Sequence, residues 1–544
     1  MTISAAPRAH DLRAVNDLRG WLQALESEGE IRRITAPVHW DVELGTITRH
    51  VLSAAGPALL FENIRDHERT YCRKLFTSSL GSYGRIALAL GLPKATPERD
   101  IILRARELYK AKADPVAVER GRAAFSKNTL RGSEINLYDL PVPRWHHWDG
   151  GRYINTFAQV ITKDPDTGAQ NVGLYRGMIA DRDKISTLIA PSQGWGGHFS
   201  KHRNARQPMK VAVCYGCDPL LTFLSASPVS HPGYSELHIL SGFKGRPVEV
   251  VRCETSDLYV PADAEIVIEG TVSFDPKDYL PEGPFAEHIG YYGGASSLKP
   301  VIRAERIHFR DDPIYQGSCE SIRPGWANED SHIMSVAASA LAWNTLEYLG
   351  IPGVTDVWMN NDGSYYMIYV QIQKSYRGQA KQIASGIWGM SFANWALKNV
   401  MVVEEDIDLR DPGQIEWAFC SRVNAAEGGI EIFRNHFGSV LDPSTPFEER
   451  DLGAYGSGRW ARVLIDATRN WNFKRRGGWN NGVYPPVCVL EKADEDAVRA
   501  RWDELGLTGI TYKPRMRIDW DEDLKYRYAL QWRPTPENVK DDGR

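Results

Sequence analysis

Several features that would assign a chain of 544 residues to a functional class are missing from this sequence. No apolar run reaches the length of about 18 residues that a membrane helix needs, and the N-terminus MTISAAPRAHDLRAV lacks the apolar segment of a secretory signal. The net charge is −4, and no block rich in lysine and arginine occurs. The sequence therefore predicts neither a membrane nor a nucleic acid as partner.

Cysteine is scarce, with seven residues of this type scattered along the chain. An odd number in a long chain argues against a disulfide framework and favours a reducing, cytoplasmic location. Cys214 and Cys217 form a CxxC in an apolar segment, which we interpret as two small core residues, with redox or metal chemistry as the alternative.

Signature motifs of the common nucleotide-binding and hydrolytic enzymes are also absent. The chain has no GxGxxG after a strand, no Walker A motif, no GxSxG and no kinase motif set. A hydrolase that acts through a nucleophile is therefore not supported.

Hydrophobic periodicity predicts an α+β chain whose character changes along its length. Leu18, Trp21, Leu22 and Leu25 in DLRGWLQALESEGEIRRI have helical spacing, with Asp17 as N-cap, and EIRRITAPV is predicted to be a strand. The charged residues 111–135 are also predicted to be helical. Strand patterns separated by turn residues dominate the middle and indicate a barrel-like β domain. Helices and strands alternate after it, and a polar, proline-rich tail follows. The predicted units are 1–135 (α/β), 136–325 (β barrel), 326–505 (α/β) and 506–544 (an arm).

The stretch PEGPFAEHIGYYGG places two glutamates, Glu282 and Glu287, among residues suited to burial. At this spacing the side chains diverge on a helix and face opposite sides of a strand, so they converge only if Gly283 and Pro284 bend the chain. Two neighbouring carboxyl groups in an apolar setting have separated pKa values, which is the arrangement of a tuned acid–base pair. Two solvated loop glutamates would fit the same spacing.

Arg176 lies in the otherwise apolar segment QNVGLYRGMI, five positions after Asn171. A buried arginine needs a carboxylate partner, which the glutamate pair would supply, whereas an exposed arginine would need none.

Possible metal ligands occur singly. WGGHFSKHRNAR offers His198 and His202 one helical turn apart without an HExxH motif, and VRCETSDLYVP offers Glu254 at the end of an apolar strand. Asparagine, histidine and glutamate together suit Mn²⁺ or Mg²⁺ better than structural zinc. Taken singly, each of these residues would also fit an ordinary surface or core position.

Seven segments occur in the order found in one family. They are HHWDGGRYINT, NVGLYRGM, VAVCYGCDP, VRCETSDLYVPADAEIVIEG, PEGPFAEHIGYY, QKSYRGQAKQIASGIWG and VVEEDIDLRDPGQIEWAFCSR. On these segments the chain resembles the UbiD family of prenylated-FMN-dependent decarboxylases from about residue 17 to 470. The resemblance implies an N-terminal α/β domain, a central split β-barrel related to flavin reductases and a C-terminal α/β dimerisation domain.

The resemblance also implies roles for the residues above. Arg176, Glu282 and Glu287 would form the catalytic network, with Glu287 as proton donor to the carbon that loses CO₂. The flavin phosphate would be held through Mn²⁺ or Mg²⁺ by Asn171, His198 and Glu254, with His202 as the alternative to His198. Further expected cofactor contacts are Ser225 and Arg422 near a K⁺ ion, and Arg377 or Lys381 at the phosphate.

The expected reaction is the reversible, non-oxidative decarboxylation of an aromatic or heteroaromatic acid. The resemblance leads us to expect the substrate pocket at Arg323, Trp326, His436 and Phe437, where Arg323 would pair with a second carboxylate or a phosphate, as in an aryl-CoA thioester such as phthaloyl-CoA. A flavin prenyltransferase would supply the cofactor, and the chain would form a homodimer or homohexamer. A flavin-dependent oxidoreductase and a non-catalytic carrier of prenylated FMN are the alternatives.

Overall fold

The structure of the chain, a computed structural model, describes residues 15–229, 233–322, 326–363, 365–450, 458–474 and 492–510, together with 476, 484, 485, 487 and 488. Its secondary structure is mixed helix and sheet, as predicted. No described helix combines the length and the apolar character that crossing a membrane requires.

The N-terminal part is a small sheet covered by helices. Helix α1 begins after Asp17, whose carboxylate accepts a hydrogen bond of 2.7 Å from the amide of Gly20, and its apolar face is buried, so this predicted helix is confirmed. The elements of the N-terminal part are α1 (Leu18–Ser27), β1 (Ile31–Ile34), α2 (Glu43–Ser53), β2 (Ala58–Phe61), β3 (Lys74–Thr77), α3 (Tyr83–Ala89) and α4 (Glu98–Leu108).

The helix predicted for residues 111–135 is wrong. This segment contains two short strands, β4 (Val116–Ala117) and β5 (Asn128–Arg131), joined by turns of 3-10 helix. Backbone pairing with distant strands decides its conformation, since the amide of Val116 donates to the carbonyl of Val248 over 2.9 Å. The charges along the segment favoured an exposed helix, but sequence alone does not show these long-range partners.

The central part is a large, curled antiparallel sheet in the order β7–β6–β10–β13–β16–β9–β8, with β5 added beside β16. Strand β13 lies in the middle and is almost entirely buried. The elements are β6 (Gln159–Lys163), β7 (Gln170–Leu174), β8 (Gly177–Asp181), β9 (Lys184–Thr187), α5 (Gly194–Asn204), β10 (Met209–Tyr215), α6 (Pro219–Ala226), α7 (Glu236–Lys244), β11 (Glu249–Arg252), β12 (Tyr259–Pro261), β13 (Ile266–Val272), β14 (Leu280–Glu282), β15 (Ser297–Lys299), β16 (Val301–Phe309) and β17 (Ile314–Gln316).

Strand β17 follows the central sheet in the chain but belongs to the N-terminal sheet, whose order is β1–β2–β3–β17. It pairs in parallel with β3, with Tyr315 opposite Leu75. The boundaries predicted at 135 and 325 stay predictions; the segment between them supplies β17 to the N-terminal sheet.

The C-terminal part is a five-stranded mixed sheet in the order β18–β19–β20–β22–β21, packed against the long helix α8. The predicted arm, 506–544, lies outside the described residues from 511 onward. The elements are α8 (Glu329–Tyr348), β18 (Val354–Met359), β19 (Met367–Ile372), α9 (Gln379–Trp388), β20 (Asn399–Glu404), α10 (Pro412–Arg422), β21 (Ile430–Gly438), β22 (Gly458–Asp466) and α11 (Lys492–Arg499).

Candidate functional site

A cavity of about 770 Å³ lies between the central sheet and the C-terminal part. Strand β7, the first turns of α5 and α7 and the turn after β14 line it from the central part, and the start of α8 and Tyr365 line it from the C-terminal part. Its volume is within the range of about 300–1,000 Å³ that small-molecule and cofactor sites occupy.

The structure brings Arg176, Glu282 and Glu287 together at this cavity. The Arg176 Nε and Nη2 atoms each lie 3.0 Å from an oxygen of Glu282, and Nη1 donates to Glu287 Oε1. Both glutamates are buried, at 1% and 5% exposure, so neither is a solvated loop residue. One guanidinium therefore joins two carboxyl groups in a setting with little water.

A second segment, residues 146–153, holds the turn that carries the two glutamates. The Tyr153 hydroxyl donates to Glu282 Oε1 over 2.8 Å, and the Asp149 carboxylate accepts a 3.2 Å hydrogen bond from the amide of Ala286, next to Glu287. Gly150 lies so close that a Cβ there would be 2.0 Å from the carbonyl oxygen of Gly283. The positions of both acids thus depend on contacts with residues 146–153 as well as on the turn itself.

Burial raises the pKa of Glu287 above its ordinary value, and the negative charge of Glu282 raises it further, whereas Arg176 opposes both effects. Burial lowers the pKa of Arg176, but the two carboxylates outweigh it and raise the value overall, so the guanidinium stays charged. The cluster is able to hold a proton on Glu287 beside a fixed positive charge.

Three polar side chains on another part of the cavity lining suit a divalent cation. Asn171 donates from Nδ2 to the Tyr175 hydroxyl over 2.9 Å, and His198 shares a 2.9 Å hydrogen bond between Nδ1 and Thr162, which leaves its other ring nitrogen available. Glu236 is buried, accepts a 2.8 Å hydrogen bond from the amide of Val172, and has no ion-pair partner among the described residues. Burial raises its pKa to about 7.

Glu254, predicted as the third ligand, is not brought to this cavity. It lies beyond the end of β11, where its oxygens are 3.3 Å from Arg120, 3.1 Å from Arg131 and 3.6 Å from Arg306. Three guanidinium groups already balance its charge, so the structure does not bring Glu254 together with Asn171 and His198. His202 is also absent from the described lining, whereas His198 is part of it.

Of the other predicted cofactor contacts, Ser225 lines the cavity and the rest lie elsewhere. Arg422 forms a buried ion pair with Asp406, Arg377 donates to the carbonyl of Trp471, and Lys381 pairs with Glu431. The resemblance led us to expect Arg422 near K⁺ and Arg377 or Lys381 at the phosphate, but each has an acidic or carbonyl partner within the C-terminal part.

The predicted substrate residues are not part of the described lining either. Trp326 is 48% exposed, Phe437 is 40% exposed, and His436 accepts a 2.9 Å hydrogen bond from Arg462. Arg323 lies outside the described residues. Other residues face the cavity instead: Glu320, Asp330, Met334, Tyr365, Trp395 and Ser439.

The residues that sequence reasoning missed carry no distinctive local pattern. Glu236 follows Ser235 at the start of a helix. Acidic residues are common in the first turn because they interact favourably with the helix dipole, so this position gives no sign of a metal ligand. Among the described residues, no three His, Cys, Asp or Glu side chains form a metal cluster, and the side-chain oxygen of Asn171 is the candidate for a third ligand beside His198 and Glu236.

Comparison with known proteins gives three adjoining family matches. Sequence models described as the N-terminal, Rift-related and C-terminal domains of 3-octaprenyl-4-hydroxybenzoate carboxy-lyase match residues 22–104, 116–323 and 331–467. An uncharacterized protein of Synechocystis sp., sll0936, is 30% identical over 513 residues, which are 91% of this chain and 97% of that protein.

Solved structures show the same architecture. Vanillic acid decarboxylase of Sedimentibacter hydroxybenzoicus in its closed form is 27% identical, with a TM-score of 0.79 over 90% of this chain and 99% of that one. The UbiD-class enzyme HmfF of Pelotomaculum thermopropionicum, in complex with FMN, is 27% identical, with a TM-score of 0.73 over 88% and 98%. The matches cover all three parts of the fold, and the chain belongs to the UbiD family of carboxy-lyases, which are decarboxylases.

Proposed function

We propose that the protein catalyses the reversible, non-oxidative decarboxylation of an aromatic or heteroaromatic carboxylic acid with prenylated FMN, and that Glu287 is the proton donor. The observation that carries this proposal is that Arg176, which lines the cavity together with Glu287, contacts both Glu287 and the buried Glu282. Solved structures of the related HmfF contain FMN and, in an evolved dimeric form, prenylated FMN, which supports a flavin in this family.

The residues present fit such a cofactor. A buried carboxylate with no cationic partner among the described residues costs free energy unless a cation meets it, so Glu236, with Asn171 and His198, would hold Mn²⁺ or Mg²⁺ against the flavin phosphate. Ser225 would contact K⁺ nearby. Prenylated FMN, when bound, supplies the electron sink for the electron pair that the departing CO₂ leaves behind.

The protein's own contribution is orientation, exclusion of water and one proton. Arg176 holds Glu282 and Glu287 at fixed positions, and the raised pKa of Glu287 keeps a proton available at a pH where a solvated glutamate has lost it. That proton would pass from a carboxyl oxygen of Glu287 to the ring carbon that has lost CO₂. In the reverse direction the same carboxylate would accept it.

The test is to co-express the chain with a flavin prenyltransferase and to measure CO₂ release and the absorption spectrum over a panel of aromatic acids. Glu287→Gln should retain the flavin spectrum and lose CO₂ release by at least about 100-fold, which is the lower contribution of a positioned general acid. Glu347→Gln, at an exposed ion pair near the end of α8, is the matched control and should behave as wild type. Turnover of NAD(P)H without CO₂ release, or near-wild-type activity of Glu287→Gln, would contradict the proposal.

A further inference from the structure

The segment HHWDGG, residues 146–151, packs behind the turn that carries Glu287, and the proposed reaction gives its charged residues no role. His146 and Asp149 are buried, at 3% and 5% exposure. Neither side chain is part of the described cavity lining. Ionisable side chains are rarely buried unless they are paired, so this pair needs an explanation other than contact with a ligand.

The carboxyl group of Asp149 accepts a hydrogen bond through each of its oxygens. Oδ1 accepts from the amide of Ala286 over 3.2 Å, and Oδ2 accepts from the amide of His146 over 2.9 Å. Because each oxygen already faces an N–H group, the ionised carboxylate is the form that fits. Ala286 directly precedes Glu287, so Asp149 fixes the backbone of Glu287 and places a negative charge behind it.

The imidazole ring of His146 faces an acceptor at both nitrogens. Nδ1 lies 3.3 Å from Asp149 Oδ2, and Nε2 lies 3.0 Å from the carbonyl oxygen of Ser321. A neutral imidazole has one N–H and could satisfy only one of them, so the geometry requires the imidazolium. Burial lowers the pKa of His146, but Cys319, whose Sγ lies 3.8 Å from Nε2, and Asp149 outweigh burial and raise it to about 10.

The pair acts on Glu287 through position and through charge. The amide of Gly150 donates to the carbonyl of Pro284 over 2.8 Å, so this segment holds the turn at a second point besides Ala286. Burial raises the pKa of Glu287, and the charges of Glu282 and Asp149 raise it further, against the opposing effect of Arg176. A positive charge on His146 acts in the direction opposite to that of Asp149.

We propose that His146 and Asp149 are positioning residues for the proton transfer: they pin the amide that precedes Glu287 and place two opposite charges behind its carboxyl group. Together they would set the pH range in which Glu287 delivers its proton. This inference rests on the proposed role of Glu287 as proton donor, and it assigns a task to residues that lie outside the described cavity lining.

Other titratable and charged groups surround these residues and stay unchanged in the test. Those around Glu287 are Arg176, Glu282, Glu320 and Tyr366, and those around the pair are Cys319, Tyr292, Tyr153 and Arg144. A difference between two variants of the pair therefore reports on the charge that each variant removes.

Two substitutions each remove one charge of the pair. Asp149→Asn keeps an oxygen for the amide of Ala286, and the pH at which kcat for CO₂ release falls to half should move down by about one unit. His146→Gln keeps a donor for the carbonyl of Ser321, and the same midpoint should move up by about one unit. Well above the midpoint, and relative to each variant's plateau at low pH, kcat should be about tenfold lower in the first and about tenfold higher in the second than in wild type. KM and flavin content should stay at the wild-type level.

A second measurement follows Glu287 without any turnover. Infrared difference spectra against pH, on protein made without a flavin prenyltransferase, give the titration of the carboxyl band that is missing in Glu287→Gln. The same two opposite shifts are expected in this titration. In wild type, NMR of protein labelled with ¹⁵N-histidine should show His146, assigned by the loss of its signals in His146→Gln, with both ring nitrogens protonated at pH 8.

The controls repeat the substitutions at exposed positions. His147→Gln makes the same change one residue along, at an exposed side chain, and Asp114→Asn makes it where 95% of the side chain is exposed. Both should leave the kcat profile and the carboxyl band as in wild type. Thermal unfolding checks that every variant is folded.

The outcomes separate this inference from the proposed function. Midpoints that move in the same direction in Asp149→Asn and His146→Gln, or that do not move while kcat falls, would reduce the pair to a structural role and overturn the inference. A neutral His146 at pH 8 would overturn it even if Asp149→Asn does not fold. Opposite shifts of the carboxyl band without CO₂ release from any acid, or with an unmoved kcat profile, would support the pair while the proposed role of Glu287 fails.

Discussion

Removal of the guanidinium at Arg176 tests the central cluster without assuming any reaction. Arg176→Gln leaves Glu282 and Glu287 buried beside each other without the cation that now contacts both. Breaking a buried ion pair by removing one partner costs about 3–5 kcal/mol. At roughly 2 °C per kcal/mol for a large domain, the expected fall in Tm is about 6–10 °C at pH 8.

The fall in Tm caused by Arg176→Gln should grow as the pH rises. The pKa of Glu287 is raised in the folded protein, so the unfolded chain gives up this proton first, and the contribution of the group to stability falls as the pH rises through the folded value. Without Arg176, whose charge opposes the rise, the folded pKa moves higher still. The Tm difference between variant and wild type should therefore be smaller at pH 5 than at pH 8.

Scanning calorimetry at both pH values, on protein made without a flavin prenyltransferase, measures the effect. Lys184→Gln breaks a 2.8 Å ion pair with Asp181 between exposed side chains on the neighbouring hairpin, and should show no measurable change at either pH. An equal loss of Tm at pH 5 and pH 8 for Arg176→Gln would refute the argument from buried charge, and an unchanged Tm would refute the contact itself.

Two further predictions concern the proposed metal ligands. Glu236→Gln should lower both the bound manganese, measured by plasma mass spectrometry, and the flavin content by at least tenfold. Glu254→Gln should leave both at the wild-type level. The reverse pattern would favour Glu254 as the metal ligand. Gly194→Ala places a Cβ 2.2 Å from Asn171 Oδ1 and should likewise reduce the metal content. Gly121→Ala, whose Cβ meets nothing within 4 Å, is the control and should not reduce it. Equal metal content in the two variants would show that Asn171 is not a ligand.

Ordered motifs with a recognisable spacing could be read from the sequence. Arg176, Glu282 and Glu287 were identified in this way, because an arginine in an apolar strand and two acids in a glycine–proline turn are each unusual. The structure adds what the turn cannot supply, namely the hydrogen bond from Tyr153 and the backbone contact at Gly150, which lie more than 100 residues earlier in the chain.

Residues whose role depends on long-range placement could not be read in this way. Glu254 and Glu236 are both acids beside apolar segments, and only packing separates them: one meets three arginines, and the other meets the backbone of β7. The strands at 116–117 and 128–131 are a similar case, since their partners lie more than 100 residues away. Local sequence is weak evidence wherever a distant partner decides the outcome.

Strand β17 has a practical consequence for anyone who divides the chain. A piece that ends at residue 135 would present the bare edge of β3, where parallel pairing with residues 314–316 normally satisfies the backbone amides and carbonyls. Unpaired backbone groups at an exposed strand edge promote association between copies of such a fragment. The shortest fragment that could close its first sheet must therefore extend past Gln316 and include the whole central barrel.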